Sequence, residues 1–276
     1  MNLLELVLLP IGYRWKQLRA GASPRTVDCV SPDCTPPPGR QKGMHVTTWT
    51  TTERIERGET RLAGDLTLTG HATGVVLFAH GSGSSRHSPR NQAVARELNR
   101  RGFATMLADL LAPGEDDREH RFDVGLLADR LVGVVDWLRA HPATTGLPLG
   151  LFGASTGGAA ALVAAVARPD GVRTVVSRGG RPDLAGPALI DVRVPTLLIV
   201  GERDDAVLAL NEEARNTMRV HAELRIIPDA THLFEEPGAL ETVAEQAGEW
   251  FQAFLTPVPF KRHPALDHLA TARLWG

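Results

Sequence analysis

The sequence predicts an α/β domain: a doubly wound, mainly parallel sheet that begins with an antiparallel hairpin. Two observations carry that prediction. From residue 74 to residue 255, apolar runs of strand length alternate with longer stretches of helical character, the order that produces a parallel sheet between helices. Ahead of them stand two strand-like segments, Val46 to Ile55 and Arg61 to Thr69, parted only by Glu56-Arg57-Gly58-Glu59, a separation that suits a hairpin at one sheet edge. The remaining elements follow in order. Gly74 to Ala79 reads as a buried strand, Asn91 to Arg101 as a helix stopped at Gly102, and Phe103 to Asp109 as the next strand. Asp123 to Ala140 places Leu126, Leu127, Leu131, Val134, Val135 and Leu138 at the spacing of an amphipathic helix. The apolar run Leu147 to Phe152 precedes the alanine-rich segment Gly158 to Ala167. Val172 to Val176 and Leu224 to Pro228 read as short strands, and Val194 to Val200 as a continuous apolar strand buried on both faces. A last helix begins near Pro237-Gly238. The chain holds no internal repeat and no insertion long enough for a large cap domain, so a site on this sheet is expected to be open.

Composition narrows the function classes. With 276 residues and 43% hydrophobic content the chain can bury one large core. Its 30 basic and 32 acidic residues leave a net charge of −2, which gives no general pull on nucleic acid or an anionic membrane, so neither is an expected partner. The cysteines are two, Cys29 and Cys34, with no second Cys/His pair at zinc spacing. So few cysteines fit a reducing compartment, and a cytoplasmic location without metal or cofactor is the expectation.

The two ends differ from the centre. Leu3 to Ile11 is apolar but too short to span a bilayer and is interrupted by Glu5 and Pro10. Arg14, Lys16 and Arg19 follow that stretch, the reverse of a secretory signal. Ser23 to Gly43 has the proline- and glycine-rich composition of a disordered linker. Residues 1–43 are therefore read as a disordered or mis-assigned extension ahead of Met44, residues 44–256 as the domain, and residues 257–276 as a tail beginning where Thr256-Pro257-Val258-Pro259 breaks the last helix.

Chemistry points first to Ser155. Gly153-Ala154-Ser155-Thr156-Gly157 joins an apolar run to an alanine-rich helix, the strand, sharp turn and helix setting in which a serine hydroxyl is held projecting from a strained backbone. The unpaired N–H groups at the start of the following helix favour the negative charge that develops when an ester carbonyl is attacked. Such small-residue runs also occur simply where a helix packs closely on a sheet. Two downstream residues weigh against that reading alone. Asp204 lies just past the strand Val194 to Val200, and His232 just past Leu224 to Pro228. All three thus fall at carboxyl ends of parallel strands, where open α/β sheets bind ligands, and in the chain order serine, acid, histidine. Asp205, beside Asp204, is expected to cap the next helix.

Residues 62–255 resemble an α/β-hydrolase of the dienelactone-hydrolase-like group. His80-Gly81-Ser82-Gly83-Ser84-Ser85-Arg86, Gly153-Ala154-Ser155-Thr156-Gly157-Gly158 and Ala230-Thr231-His232-Leu233-Phe234-Glu235-Glu236-Pro237-Gly238 carry the resemblance. It implies the α/β-hydrolase fold and an esterase- or lactonase-type mechanism. Dienelactone hydrolase proper uses a cysteine nucleophile, whereas the elbow here holds Ser155. The resemblance also places the second oxyanion-hole N–H at Ser82, beside that of Thr156. His80 is expected to orient this loop. The loop is glycine-rich but fits neither phosphate-binding template, since Arg86 stands at the third glycine of a dinucleotide fingerprint and no Gly-Lys-Ser/Thr follows. Ser177-Arg178-Gly179-Gly180-Arg181 should also emerge at this sheet edge. Its arginines have two open readings: a grip on a substrate carboxylate, or pairing with acids such as Asp183 and with water. The expected function is hydrolysis of a small-molecule carboxylic ester or lactone by Ser155, His232 and Asp204 through an acyl-enzyme. The alternatives are a hydrolase-fold protein that binds without turnover and an acyl or peroxy-acid transferase on the same residues. Composition is silent on oligomeric state.

Overall fold

The computed structural model describes residues 47–115 and 117–256. The expectations for residues 1–43 and 257–276, and for Cys29 and Cys34, lie outside the described residues. The hairpin is β1 (Thr48–Arg57) and β2 (Thr60–Thr69), with Thr48 opposite Thr69 and Arg57 opposite Thr60. Glu56 and Arg57, which look like turn residues in the sequence, still belong to the ladder. The turn itself is Gly58-Glu59, and Gly58 takes the positive φ of 58° that a two-residue hairpin loop demands.

The domain continues through β3 (Val75–Ala79), α1 (Pro89–Arg100), β4 (Ala104–Ala108), α2 (Arg118–Phe122), α3 (Val124–Ala140), β5 (Leu149–Ala154) and α4 (Thr156–Ala167). It closes with β6 (Thr174–Arg178), a 3-10 stretch kinked at Gly186 over Pro182–Asp191, β7 (Thr196–Gly201), α5 (Asp205–Thr217), β8 (Ala222–Ile227) and α6 (Ala239–Leu255). Helix α2 and the 3-10 stretch have no counterpart in the sequence reading, because neither shows an apolar period. Helix starts follow their caps. Ser88 accepts from the Asn91 N–H with Pro89 at the first helical position, and Asp123 accepts from the Leu126 N–H.

The eight strands form one sheet in the order β1-β2-β4-β3-β5-β6-β7-β8. Pairs β1/β2 and β2/β4 are antiparallel and the remaining five are parallel. This is the α/β-hydrolase architecture, mainly parallel with an antiparallel start. The chain adds β4 on one side of β3 and β5 on the other, so the order reverses between β3 and β5. Such a switch point opens a crevice at the carboxyl ends of its strands.

Helices cover both faces. Leu77, Met106, Leu151 and Val175 pack with Leu131, Val134 and Leu138 of α3 and Ala160 of α4. On the other face Phe78, Phe152, Val176 and Ile199 meet Val94 and Leu98 of α1 and Val243 and Phe251 of α6. Strands β3, β4, β5 and β7 are buried throughout, which is why they are almost wholly apolar in sequence, with Thr105 and Thr196 the exceptions. Each large side chain so enclosed contributes about 1.5–3 kcal/mol. Helix α4 is buried almost all round, as its alanine-rich sequence requires. Edge strand β8 is only half buried and carries Glu223 and Arg225, paired at 3.1 Å, charges that discourage further strand addition. Among the described residues no helix is long and apolar enough to cross a membrane.

Candidate active site

Ser155 stands between β5 and α4 with φ 52° and ψ −123°, a conformation a serine adopts only under constraint. Its surroundings impose it. A Cβ on Gly153 would lie 2.5 Å from the Gly157 carbonyl oxygen and from the Gly158 Cα. One on Gly157 would lie 2.5 Å from the His80 carbonyl oxygen and nearer still to that of Ala79. Backbone therefore touches backbone where β3, β5 and α4 converge. The Ser155 N–H donates to the Arg178 carbonyl at 3.2 Å, and the Ser155 carbonyl accepts from the Gly158 and Arg181 N–H groups at 2.9 and 3.1 Å. Both flanks of the turn are tied down.

Asp204 and His232 meet at the same sheet edge. The His232 Nδ1 lies 2.6 Å from the Asp204 Oδ2, the side chains being 38% and 15% exposed. With Nδ1–H donated to the carboxylate, Nε2 is left as the acceptor nitrogen, the form a general base needs. The loops after β7 and β8 are clasped to bring this about. The Arg203 N–H donates to the Ala230 carbonyl at 2.9 Å, the Asp229 N–H donates to the Glu202 carboxylate at 2.8 Å, and the Arg203 and Asp229 side chains form an ion pair. The helix cap differs from the expectation. Asp204, not Asp205, occupies the N-cap of α5, yet its side chain caps nothing because it is turned to His232, and Asp205 is the first helical residue. Among the described residues no hydrogen bond runs from Ser155 to His232. Such contacts are often long before a substrate binds.

The loop after β3 faces the elbow across the switch point. His80 is buried and braces the loop, with Nδ1 3.0 Å from the Gly81 carbonyl and Nε2 accepting the Leu110 N–H at 3.0 Å. Arg86 pairs with Asp109 and reaches Asp65 at 3.4 Å. The two expected oxyanion donors are neighbours here. The Ser82 N–H donates to the Thr156 hydroxyl at 2.9 Å, and Thr156, first residue of α4, has no carbonyl within its helix to receive its own N–H. A substrate oxygen entering between them would compete with the Thr156 hydroxyl for Ser82, a contact the sequence does not reveal. Among the described residues no group of three or more histidine, cysteine, aspartate or glutamate side chains is arranged to hold a metal ion.

Residues 74–237 match the sequence family described as the alpha/beta hydrolase fold. The chain belongs to the α/β-hydrolase family. A dienelactone hydrolase of Anabaena variabilis is 55% identical and superposes with a TM-score of 0.74, covering 75% of this chain and 99% of that one. Est1E of Butyrivibrio proteoclasticus, at 18% identity and TM-score 0.63 over 73% of this chain and 98% of its own, shares the fold. Two Mycobacterium tuberculosis proteins, of strains CDC 1551 and H37Rv, carry the name phosphoribosyl transferase and are 55% identical over 199 residues, 72% of this chain. That stretch is 45% of their length, so the chain spans about half of these relatives.

Within this hydrolase domain the two candidate arginines part company. Arg181 donates to both oxygens of Asp183, at 2.8 and 2.7 Å, and that pairing holds the Asp183 carboxyl below its ordinary range. This is the pairing that the second of its two sequence readings names. Arg178 is the last residue of β6 and only 8% exposed, with its Cζ 5.7 Å from the centroid of the buried Phe234 ring. Its Nε and Nη1 are buried without a hydrogen-bond partner. Burial, and more weakly the like charge of Arg90, pull its pKa down to about 10. Phe234 and Asn211, which donates to the Gly180 carbonyl at 3.0 Å, both shape this corner and carried no chemical signal in the sequence. Phe234 at least lay within a motif.

Proposed function

We propose that this chain is a serine hydrolase that cleaves small-molecule carboxylic esters or lactones through an acyl-enzyme. The observation that carries the reading is the Asp204–His232 pair, 2.6 Å apart, at the same sheet edge as a serine strained to φ 52°. In this mechanism His232 Nε2 takes the Ser155 proton as the hydroxyl oxygen bonds to the ester carbon. Asp204 holds the ring in the required tautomer and stabilises its protonated form. The Thr156 and Ser82 N–H groups receive the negative charge on the former carbonyl oxygen, a donor of this kind contributing on the order of 10²–10³ in turnover. His232 then returns the proton to the leaving alcohol, and water activated by the same histidine releases the acid.

The similarity to a dienelactone hydrolase supports an ester- or lactone-type carbonyl as the reacting group. The phosphoribosyl transferase name belongs to longer proteins, of which the matched stretch is 45%, and the glycine-rich loop here has neither phosphate-binding template. The second reading is a hydrolase-fold protein that binds without turnover, in which Ser155 and His232, not hydrogen-bonded to each other among the described residues, would stay apart with a ligand present. A fluorophosphonate probe decides between them. Covalent labelling of the wild type that disappears in Ser155→Ala is expected, and an unlabelled, correctly folded wild type would overturn the proposal.

A further inference from the structure

Ser155 and His232 come from different loops, and the strip Gly179-Gly180, just past the end of β6, borders both. On one side the next residue, Arg181, donates its N–H to the Ser155 carbonyl at 3.1 Å. On the other, Gly179 abuts the histidine: a Cβ there would stand 3.3 Å from the His232 carbonyl oxygen and 3.5 Å from its Cε1. The position of the strip therefore bears on both reacting groups. Its own residues do little to fix it, since neither has a side chain and Gly179 sits at a positive φ of 50°. The Gly179 N–H is tied to the Ile199 carbonyl of β7 at 2.7 Å. The Gly180 carbonyl is held from outside, by Asn211 of α5.

Asn211 is fully buried, and its Nδ2 donates to the Gly180 carbonyl at 3.0 Å and to the Val207 carbonyl at 2.7 Å. Turning the amide over would set its oxygen against two carbonyl oxygens, so the orientation is forced. It leaves Oδ1 buried with no partner among the described residues, which lowers stability. In a regular helix the Val207 carbonyl already accepts the Asn211 backbone N–H, so the side-chain bond to it does not explain an asparagine here. The other buried residues of α5, Val207 and Ala214, are apolar, and an apolar residue at 211 would serve the packing at least as well. The contact that needs an amide is the one to Gly180. Helix α5 also has Asp204 at its N-cap, so one helix carries the acid that holds His232 and, about two turns on, the anchor of the strip.

We propose that Asn211 is a positioning residue: through the Gly180 carbonyl it sets the spacing of Ser155 and His232 for proton transfer. The inference rests on the ester-hydrolase reading and goes beyond it, because it gives a residue with no exposed surface a part in turnover.

Asn211→Leu and Asn211→Ala test it, with p-nitrophenyl acetate and p-nitrophenyl hexanoate as substrates at a temperature well below the melting of either variant. Leucine fills the site and removes the unpaired oxygen, so the melting temperature should hold or rise. For both esters kcat should nevertheless fall about 10–100-fold with KM little changed, since a misplacement of about 1 Å is enough for such a loss. The rate at which a fluorophosphonate labels Ser155 should fall in parallel. Alanine leaves a cavity and should melt lower, yet show the same split between kcat and KM, and it carries the test if the leucine variant does not fold. A kcat within about twofold of the wild type in either folded variant, or a loss confined to KM, overturns the proposal. Failure of the underlying hydrolase reading looks different and takes the proposal with it: the wild type itself turns over no ester and Ser155 is not labelled.

Discussion

The serine and the histidine of this site are held by different means. Around Ser155 the constraint is the backbone itself: carbonyls and Cα atoms stand where a side chain on Gly153 or Gly157 would have to go. Around His232 the constraint comes largely from side chains, with Asp204 on the ring, Glu202 on the Asp229 N–H and Arg203 on the Asp229 carboxylate, all beside the half-buried edge strand β8. At the elbow, position and stability are therefore one property, and a substitution there acts on the fold. At the histidine loop they are separable, and chemistry can be removed while the fold stays.

Asp204→Asn tests that separation most sharply. The asparagine amide cannot hold the same histidine tautomer, so turnover should fall on the order of 10⁴-fold, while the melting temperature should barely move because the Asp204 side chain makes no helix-cap bond. Asp205→Asn should do the reverse, sparing turnover and costing about 0.3–1 kcal/mol by removing a first-turn negative charge from α5. Kinetics and thermal melts on the two variants check this. Equal losses of turnover would dissolve the distinction between the neighbouring acids.

Gly157→Ala is the counterpart at the elbow. Neither the Ala79 nor the His80 carbonyl can withdraw without moving β3, so the overlap should cost about 3 kcal/mol by denaturant unfolding or prevent recovery of folded protein. An alanine variant of near-wild-type stability would show that the elbow yields. The smallest effect belongs to Arg203→Ala. Its ion pair with Asp229 is exposed, with side chains at 59% and 76%, and should contribute no more than about 0–1 kcal/mol, a difference that shrinks in high salt.

Much of this was legible in the chain because it depends on local spacing. Continuous apolar runs marked β3, β5 and β7, and the small residues around Ser155 marked a close approach of α4 to the sheet. The hairpin was visible too, although its turn was placed too wide because Glu56 and Arg57 are polar residues of an exposed edge strand. Short elements were missed: five residues of α2 and a kinked 3-10 stretch bury too little to leave a period. The acid beside His232 was identified from its place just past the strand Val194 to Val200. The cap of α5 was not, because a side chain already bonded to histidine leaves its own helix uncapped.

The sequence by itself determined the order of strands and helices, the sheet edge where their loops emerge, and the residues that carry hydroxyl, imidazole and carboxylate to that edge. These follow from periodicity and from the conformations that glycine, proline and small residues permit along the chain. Tertiary structure alone decided which side chain faces which. Arg178 and Arg181 look alike in one glycine-rich stretch, yet Asp183 neutralises one and the other is sealed against Phe234 without an anion. The Ser82 N–H, read as an oxyanion donor, is met by the Thr156 hydroxyl from an element 74 residues away in the chain. Such pairings depend on how separate elements pack across the sheet, and sequence spacing carries no record of that distance.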